Sequence, residues 1–191
     1  MNYARIKNCD VANGPGVRVT LFVSGCRHQC KNCFNKEAWD FEYGEKFTNL
    51  TREAILDLLK PDYITGLSVL GGEPFEPENI VQVGILVHEV REKYPNKSIW
   101  VYTGGLYENI NTKTFYKECE NAFMAEAGKR IVFENIDVLV DGPFIEEKKD
   151  LMLKFRGSSN QRLINMKKTL ECGEVVLLDE STIKSVSRSD M

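Results

Sequence analysis

Four short apolar runs, each followed closely by glycine, constrain this chain more than any other feature. They are Val17–Val23 before Ser24-Gly25, Gly66–Leu70 before Gly71-Gly72-Glu73-Pro74, Ser98–Tyr102 before Thr103-Gly104-Gly105, and Ile136–Val140 before Asp141-Gly142. Their β-branched and aromatic residues read as buried strands. Helix-period stretches lie between them. Thr51–Leu59 opens with Thr51 as a cap, carries Ile55, Leu58 and Leu59 on one face, and stops before Pro61. A second helix runs from about Glu78 to Lys93, with Ile80, Val83, Val87 and Val90 at helical spacing, and ends before Pro95. The spacing of Phe115, Cys119, Ala122 and Phe123 predicts a third over Thr112–Ala127, with Gly128 as its C-cap. Such alternation predicts an α/β fold around a mostly parallel sheet, in which ligands sit at the carboxyl ends of the strands. All four glycine-bearing loops share that end, so they are expected to line one site.

The C-terminal third is less regular. Leu151–Phe155 alternates like an edge strand, and Glu174–Leu178 reads as a second short one. Between them Arg156–Arg162 is either a solvated loop or a polar surface that holds a partner or a cofactor carboxylate. A chain of 191 residues with 42% hydrophobic content suits one domain, expected over 1–180, with a frayed tail at 181–191. The formal charge of −3 comes from interspersed residues of both signs, which gives no footprint for nucleic acid or an anionic membrane. No run approaches the ~18 apolar residues of a membrane span, and the first residues lack an apolar signal region. A cytoplasmic protein is therefore expected.

Three of the six cysteines, Cys26, Cys30 and Cys33, stand at the spacing C-x3-C-x2-C, directly after the first strand. Three thiolates in one loop converge readily on a metal centre. A closed zinc site or an ordinary ferredoxin cluster takes four protein ligands, so three leave either a fourth ligand elsewhere or one iron open. A zinc knuckle closed by His28 or a later cysteine is the alternative, although Cys119 and Cys172 stand alone. Upstream, Asp10–Gly16 is rich in turn residues. The uneven cysteine spacing does not read as a disulfide framework.

The C-x3-C-x2-C triplet followed by Phe34, together with Gly71-Gly72-Glu73-Pro74, resembles the radical S-adenosylmethionine superfamily. Asn13-Gly14-Pro15-Gly16 with Arg18 is similar to the activating enzymes of glycyl radical proteins. Leu21–Cys26, Asn35-Lys36 with Trp39, Val138–Gly142 and Arg156–Gln161 resemble, in order, the members that serve anaerobic ribonucleoside-triphosphate reductase. The resemblance implies a partial (β/α) barrel of the radical S-adenosylmethionine type, and a 4Fe-4S cluster on Cys26, Cys30 and Cys33. S-adenosylmethionine would bind its open iron, with the adenine near Asn32, Cys33 and Phe34 and the methionine amine against Gly71, Gly72 and Glu73. Thr103, Asp141 and Arg156 are further candidates at the same rim. It implies reductive cleavage to methionine and a 5′-deoxyadenosyl radical, which takes hydrogen from a glycine of the partner reductase, with a flavodoxin-type donor reloading the cluster. Activation of another glycyl radical enzyme and a non-catalytic iron-sulfur or zinc module are the competing readings.

Overall fold

The computed structural model describes residues 1–183. Among them seven strands form one sheet: β1 (Asn2–Asp10), β2 (Val17–Val23), β3 (Glu45–Lys46), β4 (Ile64–Gly71), β5 (Ser98–Tyr102), β6 (Val138–Asp141) and β7 (Arg162–Asn165). The order is β3-β1-β2-β4-β5-β6-β7. The four expected strands are the central ones, β2, β4, β5 and β6, and they run parallel to one another. Antiparallel strands flank them, β1 and β3 on one side and β7 on the other. The connections carry the helices α1 (Asn49–Leu58), α2 (Pro77–Lys93), α3 (Tyr107–Ile110) and α4 (Ala122–Asn135), and α5 (Met166–Cys172) follows β7. No helix among the described residues is long and apolar enough to cross a membrane.

The period of two along the strands sorts their side chains onto two faces. Val19, Leu21, Val23, Leu67, Val69, Ile99, Val101 and Leu139 face α1, α2 and α4 and make the main core with Ile55, Ile80, Val83, Val87, Val132 and Phe133. The opposite face carries a smaller cluster around Trp100, Val138, Val140 and Leu163. That second face is partly polar, with Arg18, Thr20 and Ser68 buried in it.

Several expectations are corrected. The helix predicted over Thr112–Ala127 begins only at Ala122. Before it, amides bond back three residues, Cys119 to Tyr116 and Ala122 to Cys119, and the chain coils as successive turns. The carbonyls of Ile110 and Thr112 accept from the buried Lys129 ammonium, at 3.0 and 2.8 Å, and Thr112 O also accepts the Phe115 amide three residues on, a turn bond and not an α-helical one. Gly128 is not a C-cap; it lies inside α4, where a Cβ would come within 2.9 Å of the Ile80 carbonyl of α2. The two helices meet there backbone to backbone, opposite Gly84. Gly128→Val is therefore expected to lower the unfolding free energy by about 1–3 kcal/mol through overpacking, read from urea denaturation.

Leu151–Phe155 is not a strand: Phe155 has a left-handed φ of 59°, which extended backbone does not allow, and the strand that pairs with β6 is β7. Glu174–Leu178 contributes one isolated bridge, Leu177 to Ile164. The cap of α1 is Thr48, in a reciprocal box with Thr51 at the third helical position. Of the tail expected at 181–191, Ser181 and Thr182 belong to a single helical turn and Ile183 packs into the smaller cluster; 184–191 lie outside the described residues.

Candidate active site

The carboxyl ends of β2, β4, β5 and β6 open into one cleft of about 130 Å³. Its walls bring together Cys26, Cys30, Cys33, Phe34, Gly71, Gly72, Glu73 and Thr103 from the expected set. Asn32, Asp141 and Arg156 are not on them. His28, Trp39, Leu70, Tyr102, Gly104, Gly142, Phe144 and Gln161 also line it. Of these, the Tyr102 hydroxyl is buried with no hydrogen-bond partner.

The cysteine loop leaves β2 and is folded back on its end. Gly25 and Cys26 amides donate to the carbonyls of Ala38 and Trp39, at 2.9 and 3.2 Å, on a single-turn helix over Lys36–Trp39. Left-handed backbone at Gln29 and Asn32 turns the loop between its cysteines. Arg27 moors it to the start of α2, its amide donating to Glu76 at 2.7 Å and its guanidinium pairing with Glu76 and Glu78. The same guanidinium sits 4.3 Å from the Phe41 ring centre. Burial pushes the Cys26 thiol up to about 11, so it stays protonated unless a metal takes the proton's place.

Glu73 joins three of the loops. One carboxylate oxygen accepts from the Phe75 amide at 2.9 Å. The other meets the Thr103 hydroxyl at 3.0 Å, the Gly104 amide at 2.8 Å and the His28 ring at 2.9 Å, a contact that raises the imidazole above its ordinary value. The glycine before it is dictated by space: a Cβ on Gly72 would lie 2.5 Å from the Gly25 carbonyl. Glu73 is thus fully used by the protein's own donors. Glu73→Gln sets an amide NH2 against those donors and is expected to cost about 1–3 kcal/mol of stability, measured on the iron-free protein.

At the opposite end of β2, the turn-rich lead-in is tied down by Arg18. Its Nε donates to Ser68 Oγ at 2.7 Å, one terminal nitrogen reaches Ser98 Oγ at 2.8 Å and Pro15 O at 3.3 Å, and the other reaches Leu67 O at 2.7 Å and Ser98 O at 2.9 Å. Ser68 in turn donates to Asn13 O at 2.5 Å. Asp141 is engaged below the rim: its carboxylate pairs with Arg162 at 2.9 and 2.5 Å and accepts from the Tyr107 amide at 2.8 Å. Arg156 pairs with Glu180 at 2.8 Å.

Sequence reasoning missed the cleft residues His28, Trp39, Tyr102, Phe144 and Gln161 as contacts, although Trp39 and Gln161 fall in the motifs. The strand period was the available signal for Tyr102, which shares a face with Trp100 two residues away from it only through alternation with Val101.

A family model described as a 4Fe-4S single cluster domain matches residues 12–164. The chain is 39% identical over 163 residues to the anaerobic ribonucleoside-triphosphate reductase-activating protein of Escherichia coli (strain K12), covering 84% of this chain and 96% of that protein. Proteins of the same name match in Enterobacteria phage T4, at 39% over 165 residues (85% and 93%), and in Vibrio cholerae, at 40% over 163 residues (84% and 96%). The donor set fits such a cluster: three thiols share one cleft, no fourth cysteine is on its walls, and all six cysteines are free. Among the described residues no three or more His, Cys, Asp and Glu side chains converge closely enough to hold a single ion.

Proposed function

Because this chain belongs to the anaerobic ribonucleoside-triphosphate reductase-activating proteins and carries their 4Fe-4S domain, we propose that it activates that reductase by installing a radical on one of its glycines. The observation that carries the reading is that three thiols and Gly71-Gly72-Glu73 line one cleft. Cys26, Cys30 and Cys33 would hold the cluster, and with no fourth cysteine on the cleft walls S-adenosylmethionine would bind beside it. When bound, the cluster and S-adenosylmethionine would supply one-electron radical chemistry directed at a glycine Cα of the reductase.

The protein's own part is to position and to shield. Backbone around Asn32, Cys33 and Phe34 receives the adenine. The carbonyls of the Gly71–Glu73 turn receive the methionine amine, and the Glu73 carboxylate holds that turn against Thr103-Gly104. Asp141 and Arg156 act as positioning residues, fixing through Arg162 and Glu180 the segment that brings Phe144 and Gln161 to the cleft. The sheet is the partial barrel of the radical S-adenosylmethionine type, and the protein works in the cytoplasm with a flavodoxin-type electron donor.

Anaerobically reconstituted protein is expected to release 5′-deoxyadenosine from S-adenosylmethionine only with a one-electron reductant. With the reductase added, it is expected to generate a glycine-centred radical visible by electron paramagnetic resonance. A full cluster with neither product, reductase present, would sink the reading.

A further inference from the structure

Between β6 and β7 the chain makes an excursion that starts and ends in the cleft, with Gly142 and Phe144 on its way out and Gln161 on its way back. Its base is stapled. The Gln161 side-chain amide donates to Gly142 O at 3.1 Å, and that of Asn160 donates to Pro143 O at 2.7 Å. The other end of the Gln161 side chain accepts from the amides of Gly157 and Ser158 at 2.8 and 3.2 Å. Higher up, Lys149 and Ser158 bridge the two arms. Phe155 is anchored edge-on to Trp100, ring centres 5.5 Å apart, in the left-handed backbone region that an aromatic residue seldom occupies. Such local strain persists only where the surroundings over-determine it, and it concentrates at functional segments.

What this bracing holds out is apolar. Leu151 and Met152, adjacent at the tip, are 87% and 88% exposed, more than any other large hydrophobic side chain among the described residues. Glu147 of the same excursion reaches Lys31 of the cysteine loop at 3.3 Å, which places the braced segment beside the cluster ligands. On the cysteine loop itself, Phe34 is 86% exposed. A pair of contiguous, almost fully exposed apolar side chains on a hydrogen-bonded support points to a contact site.

We propose that the 145–157 excursion is the docking element for the protein substrate, with Leu151 and Met152 packing on apolar residues of the reductase that flank its radical-bearing glycine. The proposal rests on the functional reading above. If the hydrogen donor is a glycine Cα within a folded protein, the surface around the mouth of the cleft has to be covered by that protein. The excursion rises from that mouth and exposes an apolar tip that nothing in the described chain covers. Glycine brings no side chain of its own to be gripped, so affinity has to come from its neighbours.

The test compares wild type with the double variant Leu151→Ser/Met152→Ser, and with Leu50→Ser, which removes another exposed apolar side chain, on α1. Each is reconstituted with iron and measured twice: for reductant-driven 5′-deoxyadenosine release without reductase, and for affinity to the purified reductase. The double variant is expected to bind the reductase at least about tenfold more weakly, a loss on the scale of one interface hot spot, with release unchanged and Leu50→Ser like wild type. Unchanged affinity in the double variant, with wild type binding normally, overturns the docking assignment alone. A change of oligomeric state in place of reductase affinity overturns it in favour of self-association. Wild type that neither releases 5′-deoxyadenosine nor binds the reductase overturns the functional reading together with the docking surface.

Discussion

Cys30→Ala is expected to reduce reductant-dependent 5′-deoxyadenosine release to the no-enzyme level and to leave the protein folded. The Cys30 side chain belongs to neither core cluster and makes no hydrogen bond among the described residues. Its loop is held by other contacts: the amides of Gly25 and Cys26 on the 36–39 turn, and Arg27 on the start of α2. A substitution with so little to disrupt costs within about 0.5 kcal/mol, which in a chain of this size moves Tm by no more than about 2 °C. Iron is another matter. On the proposed ligand set only two thiolates would remain, and bound iron after reconstitution is expected to fall far below that of wild type. Equal iron content and equal release would exclude Cys30 as a ligand; a collapse of Tm in the iron-free protein would show that the loop holds the fold as well as the metal.

The largest stability effect is expected at Arg18→Met. Arg18 is completely buried, makes no ion pair among the described residues, and spends its donors on three carbonyls and two serine hydroxyls. Burial without a carboxylate partner pulls its guanidinium down to about 10, still far enough above neutrality for it to stay charged. Methionine keeps the stem and strands the acceptors in a dry face of the sheet. Each orphaned buried polar group costs about 1–3 kcal/mol, so a total loss of about 3–5 kcal/mol is expected in urea denaturation. Arg18→Lys should recover only part of this, because an ammonium cannot span both serine hydroxyls and the three carbonyls as the planar fork does. A loss below about 1 kcal/mol for Arg18→Met would mean that water replaces the guanidinium at this end of the sheet.

The parallel centre of the sheet was legible because β2, β4, β5 and β6 are buried on both faces and read as apolar runs, each ending in a loop with glycine. Their loops meet at one rim for the same reason, and six of the nine expected cofactor contacts are on the cleft walls. What was not legible has physical causes of its own. β1 is largely polar and half-exposed, so nothing in its composition marks a strand; pairing with β2 and β3 makes it one. The 112–121 segment carries a helical period, but its amides bond back three residues as turns, with Lys129 bonded to the carbonyls of Ile110 and Thr112 at its start. Gly128 looks like a stop signal and is a close contact between helices. Asp141 stands at the right strand end, yet the partner that claims its carboxylate is Arg162, twenty-one residues later. Leu151–Phe155 alternates like a strand because its apolar residues serve two ends, Phe155 turned in to Trp100 and Leu151 turned out to solvent.

The carboxylate of Glu73 also ties the cysteine loop to backbone outside that loop. Through His28 it touches the cysteine loop, and through two backbone amides, those of Phe75 and Gly104, it touches segments that carry no ligand. A cysteine loop stiffened by its cluster stiffens the His28 contact, and the stiffness passes to both amides through a shared pair of oxygens. Their protons are built-in reporters: hydrogen–deuterium exchange at Phe75 and Gly104 should slow on loading with iron, reading occupancy without an added label.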